Sequence, residues 1–296
     1  MRALYTLLCI LFVLFGWAEY TVQSSVSASV IRPDIGETAM VFNQSAMAVV
    51  ETHKSGPVWT YAANKLVAHA GGNIDDIQGT NTIEAVEANY VLGHRVFELD
   101  FNLTSDNILV GIHDWGAKNI APTWQEFSSK KVQGHYTPTT YEQFVRFLSL
   151  HKDAYMVTDT KSFDLTDEQL IKQFQIMYDI TENVDPGTRE RIVVQVYNQR
   201  MYRLINSIYK YPNILYTLYA TPDTEEQVLE FIKNERIPVV VMPPERANQP
   251  FLENLYDLDV KVYLHTLNDY DEVIGWQEKG IWGVYTDSLL PEDFDM

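Results

Sequence analysis

Glu98 and Asp100 stand two residues apart in the run Arg95-Val96-Phe97-Glu98-Leu99-Asp100. On a β-strand that spacing sends both carboxylates to the same side. Two carboxylates buried together oppose each other's ionisation unless a cation joins them. Asp159 closes a second short apolar run and offers a third carboxylate. Three such groups, with room for waters and a phosphate oxygen, make a site for one hard divalent cation, Mg²⁺ or Ca²⁺. An outward-facing, solvated acidic pair is the bland alternative. Val96 and Leu99, read as turned toward flanking helices, favour the inward one. His69 follows Leu66-Val67-Ala68 and precedes Ala70-Gly71-Gly72, where small residues let backbone approach a ligand closely. A lone histidine there would be read as structural, but His113 supplies a second. Two imidazoles beside a cation can take a proton from a nucleophile and give one to a leaving group. Lys161, two residues after Asp159, would add a fixed positive charge for a phosphate. Gln195, Trp115 and His265 are candidates for contacting an alcohol portion.

These groups are far apart in the chain, so the fold must gather them. From Lys65 onward, short β-branched or aromatic runs alternate with amphipathic stretches, the mark of βα units and a parallel sheet. Strands are predicted over Lys65–His69, Arg95–Asp100, Ala154–Asp159, Arg191–Val196, Ile214–Leu218, Pro238–Met242, Lys261–Thr266 and Trp282–Thr286. Helices are predicted over Thr82–Leu92, Thr140–Leu150, Thr166–Asp179, Gln199–Tyr209, Thr224–Asn234, Gln249–Tyr256 and Tyr270–Lys279. Eight strands in this alternation predict a closed (β/α)8 TIM barrel, whose chemistry belongs where the strands end. A doubly wound open sheet is the rival, weakened because no glycine-rich dinucleotide fingerprint follows the first strand. One segment breaks the alternation. Phe101–Thr104 and Ile108–Ile112 flank Ser105-Asp106-Asn107, which reads as a small β-hairpin inserted after the second strand. An excursion of equal length out and back returns His113 to the level of Asp100.

The chain has 296 residues, of which 46% are hydrophobic, enough for one large core. Its 40 acidic and 22 basic residues give a formal charge of −18, which argues against a nucleic-acid partner and against adsorption to anionic lipid. An anionic substrate would need local attraction from a cation or a few buried basic groups. Met1-Arg2 followed by the apolar run Ala3–Ala18 reads as a targeting segment. Its length leaves a cleaved signal peptide and a retained membrane anchor both open. Residues 1–18 are therefore assigned as signal or anchor, 19–60 as a polar spacer, and 61–296 as the barrel. The barrel is expected to be exported: secreted, periplasmic or anchored facing outward. The single cysteine, Cys9, lies in the apolar run, so the exported part must be stable without disulfides.

Several motifs recur together and in order: His69-Ala70-Gly71-Gly72, Asn81-Thr82-Ile83-Glu84-Ala85, Phe97-Glu98-Leu99-Asp100, Leu103-Thr104-Ser105-Asp106 and Val110-Gly111-Ile112-His113-Asp114. Asp159-Thr160-Lys161, Thr266-Leu267-Asn268 and Gly283-Val284-Tyr285-Thr286-Asp287 follow. In this order and spacing the chain resembles the glycerophosphodiester phosphodiesterase family, within the wider group of phosphatidylinositol-phospholipase-C-like barrels. The resemblance implies metal binding by Glu98, Asp100 and Asp159, acid/base roles for His69 and His113, and a phosphate contact by Lys161. It further implies a small phosphodiester or lipid-derived substrate, such as a glycerophosphodiester, a phospholipid head group or a glycerol-phosphate polymer. The chain departs from the family's pattern at Ala70, where an arginine usually follows the first histidine. It departs again at Thr80, usually glutamate, at Asp159, usually the longer glutamate, and at His265, usually tryptophan.

Two other readings remain open at this stage. Ala70 and Thr80 would suit a catalytically weakened barrel that binds lipid or glycan. Glu98 and Asp100 could serve as the paired carboxylates of a glycosidase, although such pairs normally sit about 5 Å or more apart on different strands.

Overall fold

The computed structural model describes residues 63–162 and 165–294. The expected signal or anchor segment and the whole of the expected spacer lie outside the described residues. Among those described, no helix is long and apolar enough to cross a membrane.

Eight parallel strands close into a ring: β1 (Leu66–Ala68), β2 (Val96–Leu103), β4 (Tyr155–Asp159), β5 (Ile192–Val196), β6 (Asn213–Thr217), β7 (Val239–Met242), β8 (Lys261–Leu264) and β9 (Gly283–Thr286). The ring shuts where Leu66, Val67 and Ala68 pair with Val284, Tyr285 and Thr286. β3 (Leu109–Gly111) stands outside it, antiparallel to the extended end of β2, with Phe101 opposite Gly111 and Leu103 opposite Leu109. This is the (β/α)8 barrel with a hairpin after the second ring strand that the sequence pattern predicts.

Helices α1 (Ile83–Val91), α3 (Tyr141–Leu150), α4 (Asp167–Val184), α5 (Gln199–Ile208), α6 (Glu225–Glu235), α7 (Gln249–Asp257) and α8 (Tyr270–Gln277) fill the crossovers, and a short α2 (Trp124–Ser128) follows the hairpin. Four of the predicted helix starts, Thr82, Thr140, Thr166 and Thr224, fall on a threonine that turns out to be the N-cap, and the last three form a capping box. Thr140, Thr166 and Thr224 each accept from the backbone of a glutamine three residues on, whose side chain reaches back to the cap. These reciprocal pairs satisfy two donors that the first turn otherwise leaves orphaned. α2, missed in the sequence, is capped the same way by Thr123 and Glu126.

Each ring strand is buried on both faces, as parallel strands covered by helices must be. Phe97, Leu99, Met156, Val194, Tyr216, Val240 and Leu264 face the helices, while Val67, Val96, Val157, Val193, Leu215, Val239 and Tyr263 pack together inside the ring. Val96 therefore shares the inner side with Glu98 and Asp100, not the helix-facing side on which the sequence reading placed it. The period of two along the strand leaves no other choice once Glu98 points inward. Phe101 anchors the base of the hairpin, its ring edge-on to Tyr141 at 5.1 Å and to Phe144 at 5.7 Å. At Gly111 a side chain would collide with the Asn81 carbonyl, so glycine is what lets β3 lie against the loop after β1.

Candidate active site

Along each strand the inward face changes from apolar to polar as it nears the C-terminal rim. Two residues beyond Val67 lies His69; beyond Val96 come Glu98 and Asp100; beyond Val157, Asp159; beyond Val193, Gln195. Leu215 is followed by Thr217 and Tyr263 by His265. A cleft of about 220 Å³ opens there, lined by His69, Glu98, His113, Asp159, Lys161, Gln195, Thr217, Tyr219, Val241, His265 and Tyr285. It lies at the rim where barrels of this kind carry chemistry.

Glu98, Asp100 and Asp159 are buried, and each offers an oxygen such that all three lie within 4.8 Å of one another. Register explains the approach, because Asp100 and Asp159 are direct partners across β2 and β4. Asn81 clamps Asp100 at two points: its Nδ2 donates to Oδ2 at 2.8 Å, and its Oδ1 accepts from the Asp100 backbone at 2.8 Å. Glu98 Oε2 accepts from the Ala70 backbone at 3.0 Å. The Asp159 oxygens accept from the hydroxyls of Tyr197 and Tyr219. Lys161 adopts φ 45°, a left-handed conformation that folds its side chain back over the acids. Its Nζ lies 2.9 Å from Asp100 Oδ1 and 2.7 Å from Asp159 Oδ2.

One ammonium against three carboxylates leaves the group acidic. Burial, then the charge of Asp100, pushes Glu98 up to about 8, with His69 and Lys161 opposing. Burial also raises Asp159, again against Lys161. Lys161 is held above its ordinary value, because Asp159, Asp100 and Glu98 outweigh the effect of its own burial. Converging, desolvated oxygen donors with uncompensated charge suit a hard divalent cation, whose binding would remove the repulsion that now raises Glu98.

His69 sits beside this group. Its Nδ1 is 2.8 Å from Asp287 Oδ1, and its Nε2 is 3.9 Å from Glu98 Oε2. Burial pulls the imidazole down, yet the Asp287 bond and the charges of Glu98, Asp287 and Asp100 carry it to about 9. Asp287 is itself gripped by Asn268, Nδ2 to Oδ2 at 2.8 Å and Oδ1 from the Asp287 backbone at 2.7 Å. This repeats the Asn81–Asp100 arrangement. His113 reaches the cleft from the foot of the hairpin, where the Ile112 backbone donates to the Asp100 carbonyl at 3.0 Å. Its side chain is 62% exposed, and Nδ1 lies 2.7 Å from Asp114 Oδ2.

Of the residues singled out in the sequence, His69, His113, Glu98, Asp159, Lys161, Gln195 and His265 line one cleft, and Asp100 lies against it beside Lys161. Trp115 does not join them. Its indole packs edge-to-face on Phe127 of α2 at 5.3 Å. Ala70 also adopts a left-handed φ of 49° and is buried, donating its backbone to Glu98. The orienting residues Asn81, Asn268 and Asp287 stood within recurring motifs but carried no role in the sequence reading. Tyr285 likewise stood in a motif without a role, and Tyr197, Tyr219 and Thr217 were not signalled at all, since aromatic and hydroxyl residues at strand ends look like core.

Comparison with known proteins agrees with this architecture. No curated protein sequence matches the chain. Among solved structures, a glycerophosphodiester phosphodiesterase from Parabacteroides distasonis is similar, with TM-score 0.65 and 18% identity, over 78% of this chain and 94% of that one. An Oleispira antarctica phosphodiesterase in complex with the product sn-glycerol-3-phosphate superposes with TM-score 0.62 and 14% identity, over 75% and 92%. A glycerophosphodiester phosphodiesterase from Thermotoga maritima gives TM-score 0.58 and 18% identity, over 75% and 94%. The family model described as glycerophosphoryl diester phosphodiesterase matches residues 69–290, from the first cleft histidine to past the last ring strand. The chain thus belongs to the glycerophosphoryl diester phosphodiesterase family, a family of phosphoric diester hydrolases.

Proposed function

We propose that the protein hydrolyses a small glycerophosphodiester-like substrate, with one divalent cation, Mg²⁺ or Ca²⁺, held by Glu98, Asp100 and Asp159. The observation that carries this reading is the convergence of three buried carboxylates beside a carboxylate-oriented imidazole in one cleft of a family member. When bound, such a cation supplies charge neutralisation for the phosphate oxygens. Lys161 adds a fixed ammonium at the same place.

The chain's own residues then divide the proton work. His69 has Nδ1 engaged by Asp287, leaving Nε2 for the reacting group. It holds its proton to about 9 and acts as the general acid toward the departing alkoxide. His113, with Nδ1 on Asp114, presents the other ring nitrogen as the base that activates a water or a substrate hydroxyl. Gln195 and His265 line the same cleft and contact the alcohol portion. The product bound in the Oleispira antarctica phosphodiesterase, sn-glycerol-3-phosphate, supports a glycerol-containing diester. The apolar run Ala3–Ala18 supports export, with the barrel acting outside the cytoplasm.

Hydrolysis of glycerophosphodiesters with and without chelator tests the reading. Chelation should abolish turnover, and added Mg²⁺ or Ca²⁺ should restore it. His69→Ala and His113→Ala should each lower kcat by about 10²–10⁴ while the fold persists. Unchanged rates in both variants would refute the assignment.

A further inference from the structure

Between His113 and Tyr136 the chain leaves the barrel and returns, carrying α2 with it. α2 is capped by Thr123 and Glu126, yet it buries none of its residues. Trp115, Trp124 and Phe127 pack on one another instead, with Phe127 5.3 Å from Trp115 and 6.2 Å from Trp124. Among the described residues, none of the three rings belongs to or packs on the two buried clusters of the barrel, and each stays half-buried. Ile120, in the loop before α2, is 70% exposed. A contiguous apolar cluster that seals no core and stays open to solvent marks a surface for something outside the chain.

The excursion is fixed in place. The Trp124 backbone donates to Asp106 Oδ1 at 2.8 Å, and the Ser105 backbone donates to the Pro122 carbonyl at 2.8 Å, which holds it on the hairpin tip. Gln133 Nε2 donates to the Gln78 carbonyl at 2.7 Å and ties its far end to the loop after β1. Trp115 stands two residues after His113, which lines the cleft, so the aromatic cluster begins beside the cleft mouth.

Charge selects the occupant. From Trp115 to His135, three exposed lysines, Lys118, Lys130 and Lys131, stand against one acidic residue, Glu126, a formal +2 in a chain of −18. Indole rings, apolar in body and polar at one edge, favour the head-group layer of a bilayer, and lysines beside them favour anionic lipid. We infer that this excursion docks the protein onto an anionic lipid surface. Ile120 and the three rings enter the head-group layer, and the three lysines pair with lipid phosphates. The acidic remainder of the barrel is repelled by such a surface, so the contact is local and turns the cleft mouth toward the lipid. The cleft then meets glycerophosphodiesters that still carry an acyl chain. Their cleavage rests on the phosphodiesterase reading, whereas the docking does not.

The test places a nitroxide label on the full chain at Ile120→Cys, or at the exposed Tyr256→Cys as a control, with Cys9→Ser in both. Label accessibility is read on vesicles of phosphatidylcholine with about 30% phosphatidylglycerol, and on phosphatidylcholine alone. On the anionic vesicles the Ile120 label should become accessible to oxygen and shielded from an aqueous nickel chelate, while the Tyr256 label stays aqueous. Phosphatidylcholine alone, high salt, or the triple variant Lys118→Gln/Lys130→Gln/Lys131→Gln should leave the Ile120 label aqueous. In the unlabelled triple variant, cleavage of lysophosphatidylglycerol in the anionic vesicles should fall by about ten- to a hundredfold. Cleavage of soluble glycerophosphoglycerol and the thermal midpoint should not change. An Ile120 label that stays aqueous on anionic vesicles overturns the docking, and so does one shielded equally on neutral vesicles or in the triple variant. Shielding without vesicles, together with a doubled mass in solution, would assign the patch to a second copy and also overturn it. If the label enters the lipid and neither diester is cleaved, the phosphodiesterase reading fails and the docking stands. If both diesters are cleaved and the label stays aqueous, only the docking falls.

Discussion

Asp287 Oδ1 lies 2.8 Å from His69 Nδ1, joining the last strand end of the barrel to the first. The contact exists only because β9 closes against β1, so the imidazole is set by ring closure and not by local sequence. Asp287→Asn keeps the shape but removes the charge that holds the His69 proton. We predict a fall in kcat of about ten- to a thousandfold and a drop of the His69 titration below its present value of about 9. Imidazole NMR titration reads the second effect directly, and an unshifted resonance would remove Asp287 from the account.

Asn81 plays the matching part for Asp100, with both of its amide atoms engaged. Asn81→Ala should weaken divalent-cation binding by about 10–100-fold, the usual effect of losing a residue that orients a ligand. Calorimetric titration with Mg²⁺ and Ca²⁺ measures it, and wild-type affinity would contradict the clamp.

Stability should depend on pH in a way that the cation reverses. Burial and Asp100 raise Glu98 from 4.5 to about 8, while Asp287 and its acidic neighbours, against burial, raise His69 from 6.5 to about 9. Both groups bind protons more tightly folded than unfolded, so their contributions are full below the unfolded values and are lost as pH rises through the folded ones. Chelated protein should therefore lose thermal stability from about pH 5 to about pH 9, and the gain from saturating Mg²⁺ should grow over the same range. A flat chelated curve would contradict the raised proton affinities that burial and neighbouring acids give Glu98 and His69.

Lys161 neutralises Asp100 and Asp159 from 2.9 and 2.7 Å. Removing one partner of a buried ionic cluster leaves uncompensated charge, so Lys161→Met should cost about 3–5 kcal/mol in cation-free protein. Saturating cation should recover part of this, while kcat should fall by about 10²–10³. Denaturant melts with and without chelator separate the two effects.

The barrel was legible because its signals are local. βα alternation and the acidic-turn hairpin each reside in a few consecutive residues. The acids and histidines were legible because ionisable groups at strand ends stand out against an apolar pattern. Asp287 was visible as a strand end, but its role as the His69 partner depends on ring closure, which no local pattern encodes. Trp115 lies outside the cleft lining, its indole on Phe127 of α2, a helix of five residues too short to announce itself. Val96 was assigned to the wrong side because a valine suits either face of a strand buried on both. Tyr197 and Tyr219 escaped notice because their hydroxyl bonds to Asp159 cross from one strand end to another.

Diffraction from crystals soaked in Mn²⁺, recorded at an anomalous wavelength, puts the shared-cation site to the test most directly. One peak should appear with oxygens of Glu98, Asp100 and Asp159 at about 2.0–2.6 Å, and with the His69 and His113 rings on the cleft side of it. A peak bound by other residues, no peak at these carboxylates, or imidazoles turned out of the cleft would contradict it.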